Sequence, residues 1–342
     1  LEASIRQPNP GAAYNVCDDN PCPPDEVIGH AARLLGLPEG DHVRFKNWAN
    51  AFMLSSAMTP EERQSLVDLV LPAPAPGPRD LLVAVRAVSV NPVDVKVRAS
   101  AVPEPGMPKV LGWDAAGVVE AVGADVTSVK PGDRVSIQPL VMPRAGDYFA
   151  DRGLFHLSPR LALVGLSWVS GGMAEYALVN DYNVAPVPAE LSDEEAALVE
   201  PAAVAVYACD RGGVTAGSSV LVTGAGPIGA LTLLAARAAG AAQLFVSDLN
   251  DTRLGFMKEM LPEVVTLNPK RDNVGEAIRA RTEGGVGCDV AIECVGNEHA
   301  LKACLDAVRK QGVVVQTGLH PHDNPLDWFS VTFKDEIGRA HV

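Results

Sequence analysis

The sequence predicts an α/β chain in which a small β-barrel is followed by a doubly wound parallel sheet, truncated at its C-terminal end. Three observations point there. Between Leu111 and Val135, short runs rich in β-branched residues are separated by Gly112, Gly117, Gly123 and Gly132, as in the closely spaced strands of a small barrel. From Ser219 onward, short apolar runs alternate with helical segments, the pattern of a parallel sheet covered on both faces. The first of those runs feeds a glycine-rich strand-to-helix turn, Gly224-Ala225-Gly226-Pro227-Ile228-Gly229. The expected boundaries are a fragment at 1–58, the barrel domain at 59–185 and the parallel-sheet domain at 186–342.

Bulk properties narrow the function classes. A chain of 342 residues fits two or three domains. Its net charge of −14 repels nucleic acid phosphates and anionic lipid. No apolar run approaches the ~20 residues of a membrane span, so neither nucleic acid nor membrane is an expected partner. The chain opens on Leu1 rather than Met and shows no signal peptide, so a native start further upstream is expected. The six cysteines are scattered with no CxxC pair, which argues against a disulfide framework or a thiolate zinc cluster. A reducing cytoplasm fits that usage.

The first residues stand apart from the rest. Pro23-Pro24-Asp25-Glu26, followed by Val27, Ala31, Leu34 and Leu35, reads as a helix that Gly36 ends. With Tyr14-Asn15-Val16 and Asp18 ahead of it, this stretch resembles the C-terminal substrate lobe of extended short-chain dehydrogenases, the sugar-nucleotide epimerase relatives. It lacks that family's glycine loop and Tyr-x-x-x-Lys pair, so a structural appendage is expected. Thr59-Pro60-Glu61-Glu62 then supplies an N-cap, a first-turn proline and a capping-box acid for a helix reaching Leu69.

Pro72-Ala73-Pro74-Ala75-Pro76-Gly77-Pro78 is a stiff boundary, and Leu82–Val88 reads as a strand. Together with Leu111–Val135 and the glycine loop, this segment resembles the medium-chain dehydrogenase/reductase superfamily over residues 65–335. That resemblance implies a GroES-like barrel joined to a Rossmann domain, with the active site in the cleft between. In zinc-dependent members the metal polarises the substrate oxygen. It is held by a Cys, by the His of a Gly-His-Glu triplet, and by a later Cys or Glu. Aligned by motif, the Cys position here is Asn91 in Asn91-Pro92-Val93-Asp94, and the His position is Trp113 in Gly112-Trp113-Asp114. Neither is a useful zinc ligand. Both pairings resemble the zinc-free quinone-reductase branch, in which hydrogen bonds act on an activated ketone or enone. By that likeness Asn91 meets the substrate oxygen, with Asp94 and Lys96 behind it; the alternative reading makes the last two barrel-surface charges.

Further on the likeness changes. Arg152–Val179 and Glu194–Ala208 resemble the butanediol and sorbitol (polyol) dehydrogenases. In many zinc members a lobe here carries four cysteines spaced 3, 3 and 8 residues apart, a spacing that falls on Arg144, Asp147, Ala150 and Ser158. No structural zinc is expected there. In the polyol branch the Glu of Val-Glu-Pro, here Glu200, is a zinc ligand or sits beside the metal, while a helix-surface acid is the alternative. Ser192 and Glu195 form a capping box for the helix that presents it. One carboxylate does not hold a zinc that normally takes three protein ligands. The expected catalytic set is therefore Asn91, Asp94, Trp113 and Glu200, with the family's zinc absent.

In the glycine turn, Gly224 lets the chain leave the strand Val220–Thr223 sharply, and Gly226 lets backbone approach a pyrophosphate. Pro227 and Ile228 open the helix whose N-terminus faces the phosphates, and Gly229 allows that helix to pack on the strand. Asp248, 19 residues past Gly229, is placed to accept the ribose hydroxyls and to repel a 2′-phosphate, so NAD is expected over NADP. Helices are expected over Asp251–Leu261, Val274–Arg281 and Asn297–Lys310, and strands over Val264–Leu267, Asp289–Cys294 and Val313–Thr317. Val295, Gly296 and Gly318 follow strand ends, where such sheets bind ligands, and are candidates to line the nicotinamide or the adenosine side. Arg253 either flanks the adenine or is a solvated helix arginine, and Cys288, Cys294 and Cys304 read as small core residues.

The resemblance calls for a sixth strand, but the chain stops at Glu336-Ile337-Gly338-Arg339-Ala340-His341-Val342. GAGATCGGAAGAGCACACGTC would encode that ending, and most of this string matches the start of a widely used sequencing adapter. An assembled or fused reading frame is the resulting hypothesis. Amplifying the locus and recovering one continuous frame through Val342 into a sixth strand would refute it. Loss of that strand is expected to leave the fifth strand's edge unpaired and prone to association. The expected function is an NAD-dependent oxidoreductase of the alcohol/polyol type acting on a small alcohol or ketone. The alternatives are a zinc-independent quinone or enone reductase and an inactive dinucleotide-binding chain. A homo-oligomer stays open.

Overall fold

A computed structural model describes residues 73–91, 93–94, 97, 110–168, 170–320 and 337–340. The fragment at 1–58, the helix after Thr59, and Lys96 lie outside them. The chain divides into two compact units at Glu200/Pro201.

The first unit is antiparallel. Its strands are β1 (Asp80–Val88), β2 (Ala115–Val122), β3 (Arg134–Ile137), β4 (Leu140–Val141), β5 (Ala162–Leu163), β6 (Tyr176–Asn180) and β7 (Val184–Pro186). Five of them form a sheet in the order β6-β1-β2-β3-β7, and β4 pairs with β5. Leu81, Val83 and Val85 alternate along β1 and pack with Val119, Val135, Ile137 and Val179 in one buried cluster, the period-two burial that fixes strand register. Helix α1 (Asp193–Ala197) starts in the expected capping box, with both Ser192–Glu195 bonds formed. Its Ala196 and Ala197 pack on Ala87 and Ala116. Arg134 pairs with Asp193 at 2.7 Å, but both are about a third exposed. Such a pair contributes about 0–1 kcal/mol, so apolar contact does most to seat the helix. Helix α2 (Val199–Gly212) follows at once, with Glu200 in its first turn.

The second unit alternates β8 (Ser219–Thr223), α3 (Pro227–Ala238), β9 (Gln243–Ser247), α4 (Asp251–Met260), β10 (Val265–Leu267), α5 (Val274–Arg279), β11 (Cys288–Glu293), α6 (Glu298–Ala307), β12 (Val308–Gln316) and β13 (Ile337–Ala340). The sheet order is β10-β9-β8-β11-β12-β13, every pair parallel. Val220 and Val222 face a cluster with Leu233, Ala236 and Leu254. Leu221 faces Ile278, Cys304 and Leu305 on the other side. That split is the doubly wound arrangement the sequence predicts.

Two expectations need correction. The segment expected to stay helical to Lys310 leaves the helix after Ala307, and β12 begins at Val308, with Gln311 at φ 59°. The edge of β12 is not left open: Ile337–Ala340 pairs with Val313–Gln316 as a sixth parallel strand. An edge offers main-chain donors and acceptors irrespective of side chains, so any extended segment in register can fill it.

Candidate functional site

Antiparallel pairing builds the site in the first unit. Val88 is registered against Ala115, so the next residues outward, Ser89 and Asp114, oppose one another, and Ser89 N donates to Asp114 O at 3.0 Å. Asp114 is fully buried. Its Oδ2 accepts from Ser89 Oγ and Asn91 Nδ2, each at 2.5 Å, and Asn91 Nδ2 also donates to Ser89 Oγ at 3.1 Å. Oδ1 is buried with no donor, yet Asp114 lies within hydrogen-bonding reach of Glu200, another acid. Two carboxyls in such contact attract only with a proton between them. Burial first, then the Glu200 charge, push the Asp114 carboxyl up to about 8, against the opposing pull of Ser89 and Asn91.

The structure therefore joins Asn91 and Glu200 through Asp114. Asp94 stands behind them as a brace: fully buried, it accepts from Asn91 N at 2.8 Å and Gly112 N at 3.2 Å. A barrel-surface charge it is not. Burial raises its carboxyl and those two N–H groups oppose the rise. Trp113 is half-buried between Gly112 and Asp114; an indole donates one N–H and ligates nothing. Asp114 and Ser89 were not among the expected site residues. The signal was the acid ending Gly112-Trp113-Asp114, together with the opposition of Ser89 across the strand pair.

Zinc does not fit this donor set. Asn91 donates its amide, Trp113 offers no lone pair, and both Asp94 oxygens accept backbone N–H groups, which leaves Asp114 and Glu200 where catalytic zinc takes three protein ligands. Among the described residues, no group of three or more His, Cys, Asp or Glu is arranged to hold a metal.

The lobe at the four-cysteine spacing is organised by a carboxylate. Asp147 Oδ1 accepts from Phe149 N at 3.0 Å and Ala150 N at 2.9 Å, while Oδ2 accepts from Ser158 Oγ at 2.7 Å and pairs with Arg160 at 3.2 Å. Arg160 reaches on to Ala145 O. The backbone and Ser158 donors hold the Asp147 carboxyl down at about 2. Arg144 lies over the rings of Phe155 and Tyr182, at 4.4 and 4.1 Å.

In the second unit the glycine turn has the shape its sequence requires. Gly224 sits at φ 93°, and a Cβ on Gly229 would lie 1.8 Å from Gly224 O. Gly226 is different: a Cβ there would meet nothing within 4 Å. Pro227 is at the first helical position of α3, Ile228 follows, and no side chain caps the helix start. Asp248 follows β9; its Oδ2 accepts from Ala225 N and its Oδ1 from Asn250 N, both at 2.8 Å. Each oxygen keeps a lone pair for a hydroxyl donor. An open backbone cradle, an uncapped helix start and a fixed acid fit a dinucleotide. Arg253 is half-buried in the first turn of α4. Val295, 48% exposed, and Gly296 follow β11, and Gly318 follows β12. Cys288 and Cys304 are fully buried and Cys294 packs against the core; all three carry free thiols. Among the described residues, no helix is long and apolar enough to cross a membrane.

Comparison with known proteins agrees with both units. Residues 77–189 match the alcohol dehydrogenase GroES-like domain, and residues 227–337 match the zinc-binding dehydrogenase family. Human (Homo sapiens) sorbitol dehydrogenase is 40% identical over 256 residues, covering 72% of this chain and 70% of its own length. The structure of 2R,3R-butanediol dehydrogenase from Bacillus subtilis superposes with TM-score 0.72 at 27% identity, covering 80% of each chain. A zinc-binding dehydrogenase structure from Sinorhizobium meliloti 1021, bound to NADP, gives 0.72 at 29% identity and 79% coverage of each chain. These likenesses do not support the quinone-reductase reading of the front half. The chain belongs to the medium-chain dehydrogenase/reductase superfamily, as an oxidoreductase of the alcohol and polyol dehydrogenase type.

Proposed function

We propose that the chain is an NAD-dependent oxidoreductase that moves hydride between nicotinamide and a small alcohol or ketone without a catalytic zinc. The observation that carries this reading is the Ala225–Asp248 bond, which ties the glycine turn to the acid at the end of β9. When bound, the dinucleotide supplies or takes the hydride at its nicotinamide C4. Gly226, Ile228 and Gly229 offer main-chain N–H groups to the pyrophosphate, while Gly224 turns the chain off β8 and Pro227 sets the first helical turn. Asp248 takes the ribose hydroxyls and disfavours a 2′-phosphate. Arg253 lies beside the adenine, and Val295, Gly296 and Gly318 line the nicotinamide side.

In the barrel unit, Asp114 holds the proton that a ketone oxygen needs when hydride arrives. Glu200 keeps that proton on the pair by making full ionisation costly. Asn91 and Ser89 fix the carboxyl, Asp94 braces Asn91, and Trp113 walls the site. A cytoplasmic setting suits the free thiols, and a homo-oligomer remains part of the proposal.

NADH fluorescence titration, turnover with sorbitol and 2R,3R-butanediol, and metal analysis after mild dialysis test the reading together. NADH binding and alcohol turnover with far less than one zinc per chain are expected. Near one zinc per chain would overturn the metal-free part. Asp248→Ala is expected to weaken NAD binding about tenfold and to narrow its preference over NADP. A second reading, dinucleotide binding without turnover, is favoured by Asn91 and Trp113 at the ligand positions; NADH binding with no activity on alcohols, ketones or quinones would select it.

A further inference from the structure

Glu293, at the end of β11, is fully buried among backbone groups that the proposed cofactor contacts do not explain. Its Oε1 accepts from Val295 N at 2.8 Å and Gly296 N at 2.9 Å. Its Oε2 accepts from Gln316 Nε2 at 2.5 Å and lies 3.4 Å from His320 Nε2. Its main-chain oxygen accepts from Thr317 N and Gly318 N, both at 2.9 Å, and from Thr317 Oγ1 at 2.6 Å. One residue thus engages the turns after two adjacent parallel strands.

The packing around it is close. A Cβ on Gly318 would lie 2.2 Å from Gly296 N and 2.6 Å from Glu293 Oε2. Gly296 stands at φ 82°, with Leu319 O 2.6 Å from where its Cβ would be. Gln316 Nε2 donates on to Gly318 O at 2.7 Å, while Gln316 Oε1 is buried with no donor. The two turns therefore interlock through the carboxylate and cannot shift independently. A buried carboxylate requires this many donors to offset its lost hydration. No simpler packing role demands an acid there, because an apolar residue would fill the volume without that cost.

We propose that Glu293 is the positioning residue for the nicotinamide half of the bound dinucleotide: it locks the Val295–Gly296 and Thr317–Gly318 turns into the single arrangement that the nicotinamide ring meets. This rests on the dinucleotide reading above. Glu293→Gln keeps the volume and one acceptor but turns the Oε2 position into a donor facing Gln316 Nε2 and His320. Gln316 can flip to offer Oε1, and Gly318 O then loses its donor. The turns loosen while β11 stays paired.

The test compares NADH with ADP-ribose, which lacks the nicotinamide, in wild type and Glu293→Gln. Wild type is expected to bind both. Glu293→Gln is expected to lose about tenfold in NADH affinity and to keep ADP-ribose affinity within about twofold. Gln316→Met leaves the carboxylate and its two backbone donors in place, and is expected to show a smaller loss of the same kind if Glu293→Gln does not fold. Equal losses for the two ligands, or no loss for either, would overturn the positioning role. Failure of wild type to bind either ligand would instead overturn the dinucleotide reading beneath it.

Discussion

The first unit contains two places where many zinc-dependent members of the superfamily carry metal ligands, and this chain resolves them in opposite ways. At the lobe, Asp147 takes a donor at every turn: two backbone N–H groups, a serine hydroxyl and an arginine. Its carboxyl is held at about 2. At the barrel site, Asp114 also receives two donors, but its other oxygen has none and a second acid stands beside it. Its carboxyl is pushed to about 8. The first carboxylate is satisfied and stabilises a fold. The second shares a proton with the acid beside it, and losing that proton costs stability as pH rises through about 8. On the proposed reading, that difference makes the barrel acid the one available for proton transfer and the lobe acid a group that holds the fold.

The largest effect that would sharpen this contrast is on catalysis. Asp114→Asn keeps an acceptor for Ser89 and Asn91 but has no transferable proton. Ketone reduction is expected to fall about 100-fold or more, measured as kcat with NADH saturating. Retained activity would remove Asp114 from the chemistry. Second, Asp147→Ala is expected to expose the backbone amides of Phe149 and Ala150, read as faster hydrogen exchange across the lobe with kcat little changed. Loss of kcat with no change in exchange would reverse the roles assigned to the two acids.

A smaller effect lies in the pH profile. Wild-type ketone reduction is expected to decline as pH rises through about 8, because the Asp114–Glu200 pair loses its proton there, and alcohol oxidation is expected to rise through the same range. Glu200→Gln removes the neighbouring charge and is expected to move both limbs down by about one pH unit. A profile that stays in place would separate Glu200 from the pair. The smallest effect belongs to Arg144→Gln, expected to cost about 0.5–1 kcal/mol through loss of its two ring contacts, read in urea unfolding.

What the sequence made legible was mostly local. Gly224 and Gly229 are dictated by a turn and a close approach within six residues, so their reasons can be read without the fold. The Ser192–Glu195 capping box is equally local, spanning three residues. Asp114 and Ser89 were harder because they are 25 residues apart and meet only through the Val88–Ala115 register. Asp94 could be read either as a group behind Asn91 or as a surface charge, because no pattern in the sequence shows that Gly112 N would turn toward it. Glu293 was invisible for a related reason: its donors come from a turn 23 residues or more away as well as from its own. Helix α6 ends at Ala307 because Val308 already has an extended backbone, at φ −71° and ψ 142°, and pairs with β11, a tertiary contact that local sequence does not announce.

The contrast between the two acids is tested most directly by making the same substitution at both and measuring thermal stability against pH. Asp114 binds its proton more tightly folded than unfolded, so its contribution falls as pH rises from about 4 to about 8. Asp147 binds its proton less tightly folded, so its contribution is complete above about 4 and is lost as pH falls toward about 2. At pH 9, Asp114→Asn is therefore expected to raise Tm and Asp147→Asn to lower it. If both substitutions lower Tm at pH 9, the barrel carboxyl is as well satisfied as the lobe carboxyl, and its assignment as a strained proton donor fails.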